Sequence, residues 1–232
     1  GINSQPTQIG LSFHASTAKA SKDFVINEGF EDAATAFPPT GWTMNDVDGD
    51  SYNWQVPPIT GSEGWGVHTG EYCASSASYI NDIGALTPEN WLITPQVALP
   101  AEEAFRLSYW VCGQDAAYAG EHYKVVLSTT GTAPADFTVT LLEETMTAKT
   151  VGTMYNRTVD LTDYAGQSVY IAWVHYDCTD MFYLNLDDVQ IGPAPTTPIA
   201  SINFNTADFG VVNVGQSVTL EGFELSNIGV ST

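Results

Sequence analysis

Along most of this chain apolar residues recur at every second position, in short runs separated by Gly, Pro, Asn, Asp and Ser. A period of two predicts strands rather than helices. The run 105–112, Phe-Arg-Leu-Ser-Tyr-Trp-Val-Cys, alternates strongly, and 169–176, Val-Tyr-Ile-Ala-Trp-Val-His-Tyr, is the most apolar and reads as a central strand. Further strands are expected at 24–31, 123–128, 156–161 and 182–191. A turn followed by a short strand is expected over 36–42, and the strand that begins at Trp91 is broken by Pro95, which places it at an edge or end. Residues 137–145 fit a helix as well as a strand and are read as strand or loop. Residues 54–90, rich in Gly, Ser, Tyr and Trp, read as a long irregular loop, a kind of segment that often carries function. Strands at intervals of roughly 10–15 residues with turn signals between them predict an all-β sandwich.

The same pattern divides the chain. Residues 1–23 are polar without a period and read as a leader or linker. Residues 24–192 hold the strand-rich unit. Residues 193–198 are a proline-rich linker, and short strand patterns start afresh over 199–232. A segment of that length cannot close a sandwich alone. It is either the start of a second domain or a tail that packs on the first.

Composition narrows the classes of partner. Six Lys+Arg against 27 Asp+Glu give a net charge of −21, which repels nucleic acid and anionic membrane surfaces. Aromatic residues at 12% argue against the disorder that a very acidic chain otherwise suggests. No apolar run reaches the about 18 residues of a membrane-spanning helix, so membrane insertion is not expected. No signal peptide is visible, and the opening Gly-Ile-Asn-Ser reads as a mature or trimmed start, compatible with an export signal cleaved earlier. Low lysine with abundant Thr, Ser, Asn and Gly fits an exported protein. Cys73, Cys112 and Cys178 contain no C-x-x-C pair, which excludes a zinc ribbon or thioredoxin motif. Cys112 and Cys178 each end a strand-like run and are candidates for a bridge. Each cysteine also reads as a small buried hydrophobe.

The densest chemistry lies in Asn45–Trp54, where Asp46, Asp48 and Asp50 alternate around Gly49. Such a loop is either a solvated acidic turn or an oxygen cage for a hard divalent cation, calcium above all. It is not an EF-hand: counted from Asp46, the sixth and twelfth places hold Ser51 and Pro57 rather than Gly and Glu. A cation here must be held by several distant segments. Phe30-Glu31-Asp32 and Leu186-Asp187-Asp188-Val189 also set acids beside residues that belong in a core.

Together these blocks resemble the cleaved adhesin domain, a family of gingipain haemagglutinin and adhesin regions and related secreted proteins of Bacteroidetes. The resemblance spans about residues 24–192. It rests on Phe30-Glu31, Pro39-Thr-Gly-Trp42, Asp46-x-Asp48-Gly-Asp50, Trp91-Leu-Ile-Thr-Pro95, Tyr109-x-Val-Cys112, Glu121-His122-Tyr123, Ser128-Thr-Thr-Gly131, His175-Tyr-x-Cys178-Thr-Asp180 and Leu186-Asp187-Asp188. The segment after the linker, with Phe209-Gly-x-Val and Leu225-Ser-Asn227-x-Gly229, resembles the start of an immunoglobulin-like domain of the Hydin or choice-of-anchor kind.

The resemblance implies a jelly-roll sandwich similar to galactose-binding and MAM domains, one or two structural Ca2+ ions, and an adhesive role at host proteins or cell-surface glycans. It also implies a secreted or cell-surface location within a larger multidomain protein. Carried over by residue, a first ion would lie between Glu31, the loop of Asp46, Asp48 and Asp50, and Asp188. Because strand side chains alternate, Asp187 would point the other way, toward a second ion with Asp115, Glu121 and Asn185, a cluster that reads equally as plain acidic surface. Trp65, Tyr72, Tyr79 and Tyr118 are candidates for stacking on sugar rings, and each also reads as ordinary packing. A carbohydrate-binding module of a larger enzyme and a plain structural spacer are the competing readings.

No motif for a nucleophile elbow, a zincin, a P-loop or a dinucleotide fold occurs. His175 reads as a hydrogen-bonded core residue, and His122 as a structural or rim residue. The chain is expected to be non-catalytic.

Overall fold

The computed structural model describes residues 24–32, 36–56, 66–147 and 154–195, together with the backbone of 200–202 and 225–227. Two antiparallel sheets pack face to face. One holds β1 (Ile26–Glu28), β3 (Ala74–Ala77), β8 (Phe105–Gly113), β11 (Tyr155–Asp160) and β13 (Tyr183–Pro193). The other holds β2 (Thr43–Asp46), β6 (Asn90–Ile93), β7 (Val97–Ala98), β9 (His122–Ser128), β10 (Val139–Thr145) and β12 (Ser168–His175). A small hairpin, β4 (Tyr79–Ile80) with β5 (Gly84–Ala85), stands apart, and β14 (Ala200–Ile202) pairs with β15 (Leu225–Asn227).

Alternation explains which faces meet. Phe105, Leu107, Tyr109 and Val111 of β8 point inward and meet Tyr123, Val125 and Leu127 of β9 and Val169, Ile171 and Trp173 of β12 in one core. Trp173 stacks on Trp42 with centroids 6.0 Å apart and takes Tyr109 edge-on at 5.4 Å. The other face of the second sheet carries a smaller cluster of Trp91, Ile93, Val126, Ala172 and Val174. Residues 169–176 are thus apolar on both faces because both faces are covered.

β13 is the spine of the first sheet. One edge pairs along β8, and the other takes β3 at Tyr183–Leu186 and β1 at Val189–Ile191, end to end. Between these partners the register shifts, Asp187 to Gln190, and Asp188 adopts φ 45°. A bulge of this kind inserts an extra residue and turns the strand. Its effect is visible in the core, where Leu184 and Leu186 face inward before it and Val189 and Ile191 after it.

Several sequence expectations change in detail. Within 137–145, read as strand or loop, the strand β10 occupies Val139–Thr145. The expected first strand is shorter, since Phe30 turns to φ 57° just after β1. The expected short strand within 36–42 starts instead at Thr43, so that Asp46 ends β2. The supposedly irregular 54–90 contains β3, β4 and β5. β3 reads Ala-Ser-Ser-Ala and is buried on both faces, so it shows no alternation of hydrophobicity. β13 runs to Pro193, into the expected linker. The leader lies outside the described residues, as does most of the segment after 198.

Candidate functional site

The structure sorts the expected site residues into four places. The first is the loop after β2. Asp46, Asp48 and Asp50 each offer a carboxylate oxygen, and these oxygens lie within 4.8 Å of one another. The loop is wound by its own carboxylates: Asp46 accepts from Gly49 N (2.8 Å) and Ser51 N (2.9 Å), and Asp48 from Asp50 N (3.0 Å). Asp48 also accepts from Glu89 N at 2.5 Å, which ties the loop to the entry of β6. Burial, with Asp48 and Asp46 alongside, raises the Asp50 carboxyl above its ordinary value. An all-oxygen donor set on a short acidic loop suits a hard cation such as calcium.

The second place is the β13 bulge. Asp187 Oδ2 accepts from the backbone of His68 (2.8 Å) and Thr69 (3.2 Å). Asp188 meets His68 Nδ1 at 2.5 Å and Thr69 Oγ1 at 2.9 Å. Both carboxylates therefore face the loop 66–72, not opposite sides of the sheet. The expected alternation fails because the bulge and the φ of 45° at Asp188 interrupt it. Glu31 reaches the same loop and accepts from Glu71 N and Tyr72 N. The His68 ring stacks on Trp110 at 3.6 Å. Burial, and Asp188 beside it, push Asp187 up to about 7. Burial works against ionised Asp188 too, but hydrogen bonds from His68 and Thr69 bring it below the usual range. Glu31 and Asp188 thus gather around this loop, whereas the three-carboxylate group of the first place consists of Asp46, Asp48 and Asp50 alone.

The third place lies between the sheets. Glu121 and His175 continue the inward register of β9 and β12, and both are fully buried. Glu121 Oε2 is 2.9 Å from His175 Nε2, and Cys178 Sγ lies 3.1 Å from that nitrogen and 3.4 Å from that oxygen. Glu121 is therefore not assembled with Asp115 and Asp187, and the expected second ion set does not form. The resemblance set Glu121 with Asp115 and Asp187, whereas the pairing of β9 with β12 brings it to His175. Cys112 is buried on β8 while Cys178 sits beside His175, and all three cysteines are free thiols. Of the two readings, the candidate Cys112–Cys178 bridge is absent, and Cys73 and Cys112 are buried as small apolar side chains. The trio is not a nucleophilic relay, since Cys178 and Glu121 share one imidazole nitrogen. Burial and the Glu121 charge push the Cys178 thiol well above its ordinary value.

The fourth place is a surface pocket of about 450 Å³ lined by Tyr79, Asn81, Asp115, Tyr118, Asp180, Met181 and Phe182. Two of the expected stacking residues meet here. Tyr118 is 55% exposed. Asp115 accepts from Ala117 N at 2.7 Å and from Tyr118 N at 3.2 Å, which fixes the loop that presents Tyr118. Tyr72 packs against the main core, so its ring is committed there rather than offered to a ligand. Trp65 lies outside the described residues.

Comparison with known proteins gives a consistent family. The profile of the Cleaved Adhesin Domain matches residues 23–191. The chain is 41% identical over 211 residues to Lys-gingipain W83 of Porphyromonas gingivalis, covering 84% of this chain and 12% of that protein. It is 44% identical over 179 residues to Hemagglutinin A of the same organism, covering 72% of this chain and 6% of that protein. It therefore spans a small part of these relatives. The crystal structure of the K1 cleaved adhesin domain of Lys-gingipain superposes with TM-score 0.64 at 41% identity, over 72% of this chain and 97% of that one. TmCBM61, solved with β-1,4-galactotriose, shares the fold at TM-score 0.50 and 18% identity, over 75% of this chain and 99% of that one. The chain belongs to the Cleaved Adhesin Domain family.

Proposed function

We propose that this chain is a non-catalytic adhesive module of a larger secreted or cell-surface protein, and that it takes its ligand at the Tyr79–Tyr118 pocket. The observation that carries this reading is the pocket itself. An exposed tyrosine, a half-buried one, an amide and two carboxylates converge on about 450 Å³. Tyrosine faces stack on the apolar faces of sugar rings, while Asn81, Asp115 and Asp180 offer groups that hydrogen-bond hydroxyls. That chemistry favours a cell-surface glycan, and a host protein that presents a short polar segment is the second reading.

The same proposal gives the module structural calcium. Asp46, Asp48 and Asp50 would hold one ion. A second would sit near Glu31 and Asp188, whose side chains both border Gly29. An ion supplies positive charge where carboxylates crowd, and the surrounding chain fixes their positions through its own N–H groups. The segment after residue 198 is read as the start of an immunoglobulin-like domain that follows the module.

A glycan array probed with the 232-residue chain, beside a pull-down from host-cell surface protein, tests the function. Retention on a subset of glycans, lost in Tyr118→Ala at unchanged melting temperature, supports the glycan reading. Capture of one protein, lost in the same variant, supports the protein reading. Binding by neither route leaves a spacer and removes the proposal.

A further inference from the structure

A trio formed by two buried side chains and Cys178 of the 176–182 segment has no role in the adhesive reading. Glu121 Oε2, His175 Nε2 and Cys178 Sγ form a triangle with edges of 2.9, 3.1 and 3.4 Å. We propose that this triangle is a three-ligand site for a borderline divalent transition metal, zinc in the first instance.

The donor set is the first argument. One thiolate, one imidazole and one carboxylate make up the mixed S, N and O set that zinc accepts and calcium does not. Geometry is the second. With Zn–S near 2.3 Å and Zn–N and Zn–O near 2.0–2.2 Å in a tetrahedron, ligand atoms lie roughly 3.3–3.6 Å apart. The observed edges need to open by only a few tenths of an ångström.

The outer contacts are the third argument. Metal-bound imidazoles commonly donate their other ring N–H to an oxygen. His175 Nδ1 lies 2.8 Å from Ser76 Oγ. The second oxygen of Glu121 is held by Ser78 Oγ at 3.0 Å and by Phe182 N at 2.7 Å. The groups that would face the metal are thus oriented by partners on their far sides. Access is the fourth. Cys178 is the one member of the trio that is not fully buried, and it lines an open pocket of about 520 Å³ that also contains Asp48, Glu89 and Asp177. An ion enters past these carboxylates, and the fourth position faces the pocket, where water completes the shell.

Binding replaces the thiol proton, which leaves to bulk water, and requires His175 Nε2 to be free of hydrogen, with the ring proton on Nδ1 toward Ser76. Thiolate, carboxylate and Zn2+ then sum to zero charge in a buried place.

The test uses the whole chain, stripped of metal and held in excess calcium so that oxygen-only sites are filled, then titrated with Co2+. The expected result is a thiolate-to-cobalt charge-transfer band that saturates at one equivalent and is displaced by Zn2+. Cys178→Ser should lack the band and Cys73→Ala should keep it. In the wild-type chain, one equivalent of Zn2+ should slow alkylation of Cys178 at least tenfold. No charge-transfer band, a band that survives in Cys178→Ser, or an alkylation rate indifferent to zinc would each overturn the site.

Discussion

At the scale of single residues, conformation and charge are set by close neighbours. Gly49 holds φ 77° at the crest of the acidic loop, with nothing near the place a Cβ would take. A Gly49→Ala change therefore meets no steric wall but strains the backbone. It should cost about 1 kcal/mol of unfolding free energy, read by chemical denaturation. Glu143 is an electrostatic counterpart. Hydrogen bonds from Tyr176 and His122 hold its carboxyl below the usual range. Because its folded value is depressed, its contribution to stability is present above the ordinary carboxylate pKa. That contribution is lost as pH falls through the depressed value. Carboxyl-detected NMR titration of Tyr176→Phe should show the Glu143 midpoint moving up toward 4.5. An unmoved midpoint would remove Tyr176 as the cause.

At the scale of elements, much of the sandwich was legible. Strong alternation in 105–112 and the unbroken apolar run of 169–176 marked β8 and β12, which supply inward faces of the two sheets. What alternation could not show was β3, whose Ala-Ser-Ser-Ala is buried throughout among partners that a period-two reading never sees. Nor could it show the β13 bulge, which sends Asp187 and Asp188 to one loop. Acidic residues were found by type, but their grouping was decided by strand pairing. Glu121 went to His175 because β9 lies beside β12. The same logic joins the sheet edges at β10 and β11. Arg157 grips Glu144 with two nitrogens at 2.8 and 3.1 Å, and Glu144 also accepts from Tyr123 at 2.5 Å. Arg157→Met should cost about 1–3 kcal/mol, the worth of charge-assisted hydrogen bonds at a half-buried place. A change within a few tenths of zero in a denaturant series would mean that this clamp does not hold the edges.

At the scale of the molecule, a chain with net charge −21 folds into a sandwich that crowds carboxylates in the loop after β2 and at the β13 bulge. The proposed calcium offsets that repulsion: two unit charges about 4 Å apart oppose each other by roughly 4 kcal/mol at an effective dielectric near 20. Chelation should lower the melting temperature, and added calcium should restore it. An unchanged melt in excess chelator, with no metal in the preparation, would contradict the proposal. Adhesion through the Tyr79–Tyr118 pocket is tested most directly by methyl NMR. The chain has four methionines, and Met181 alone lines that pocket, while Met44, Met146 and Met154 pack in or against the core. Titrated with the glycan that the array retains most strongly, the methyl-labelled chain should shift its Met181 signal and leave the other three in place. Saturable binding that leaves Met181 unmoved would put the ligand elsewhere on the molecule and contradict the account.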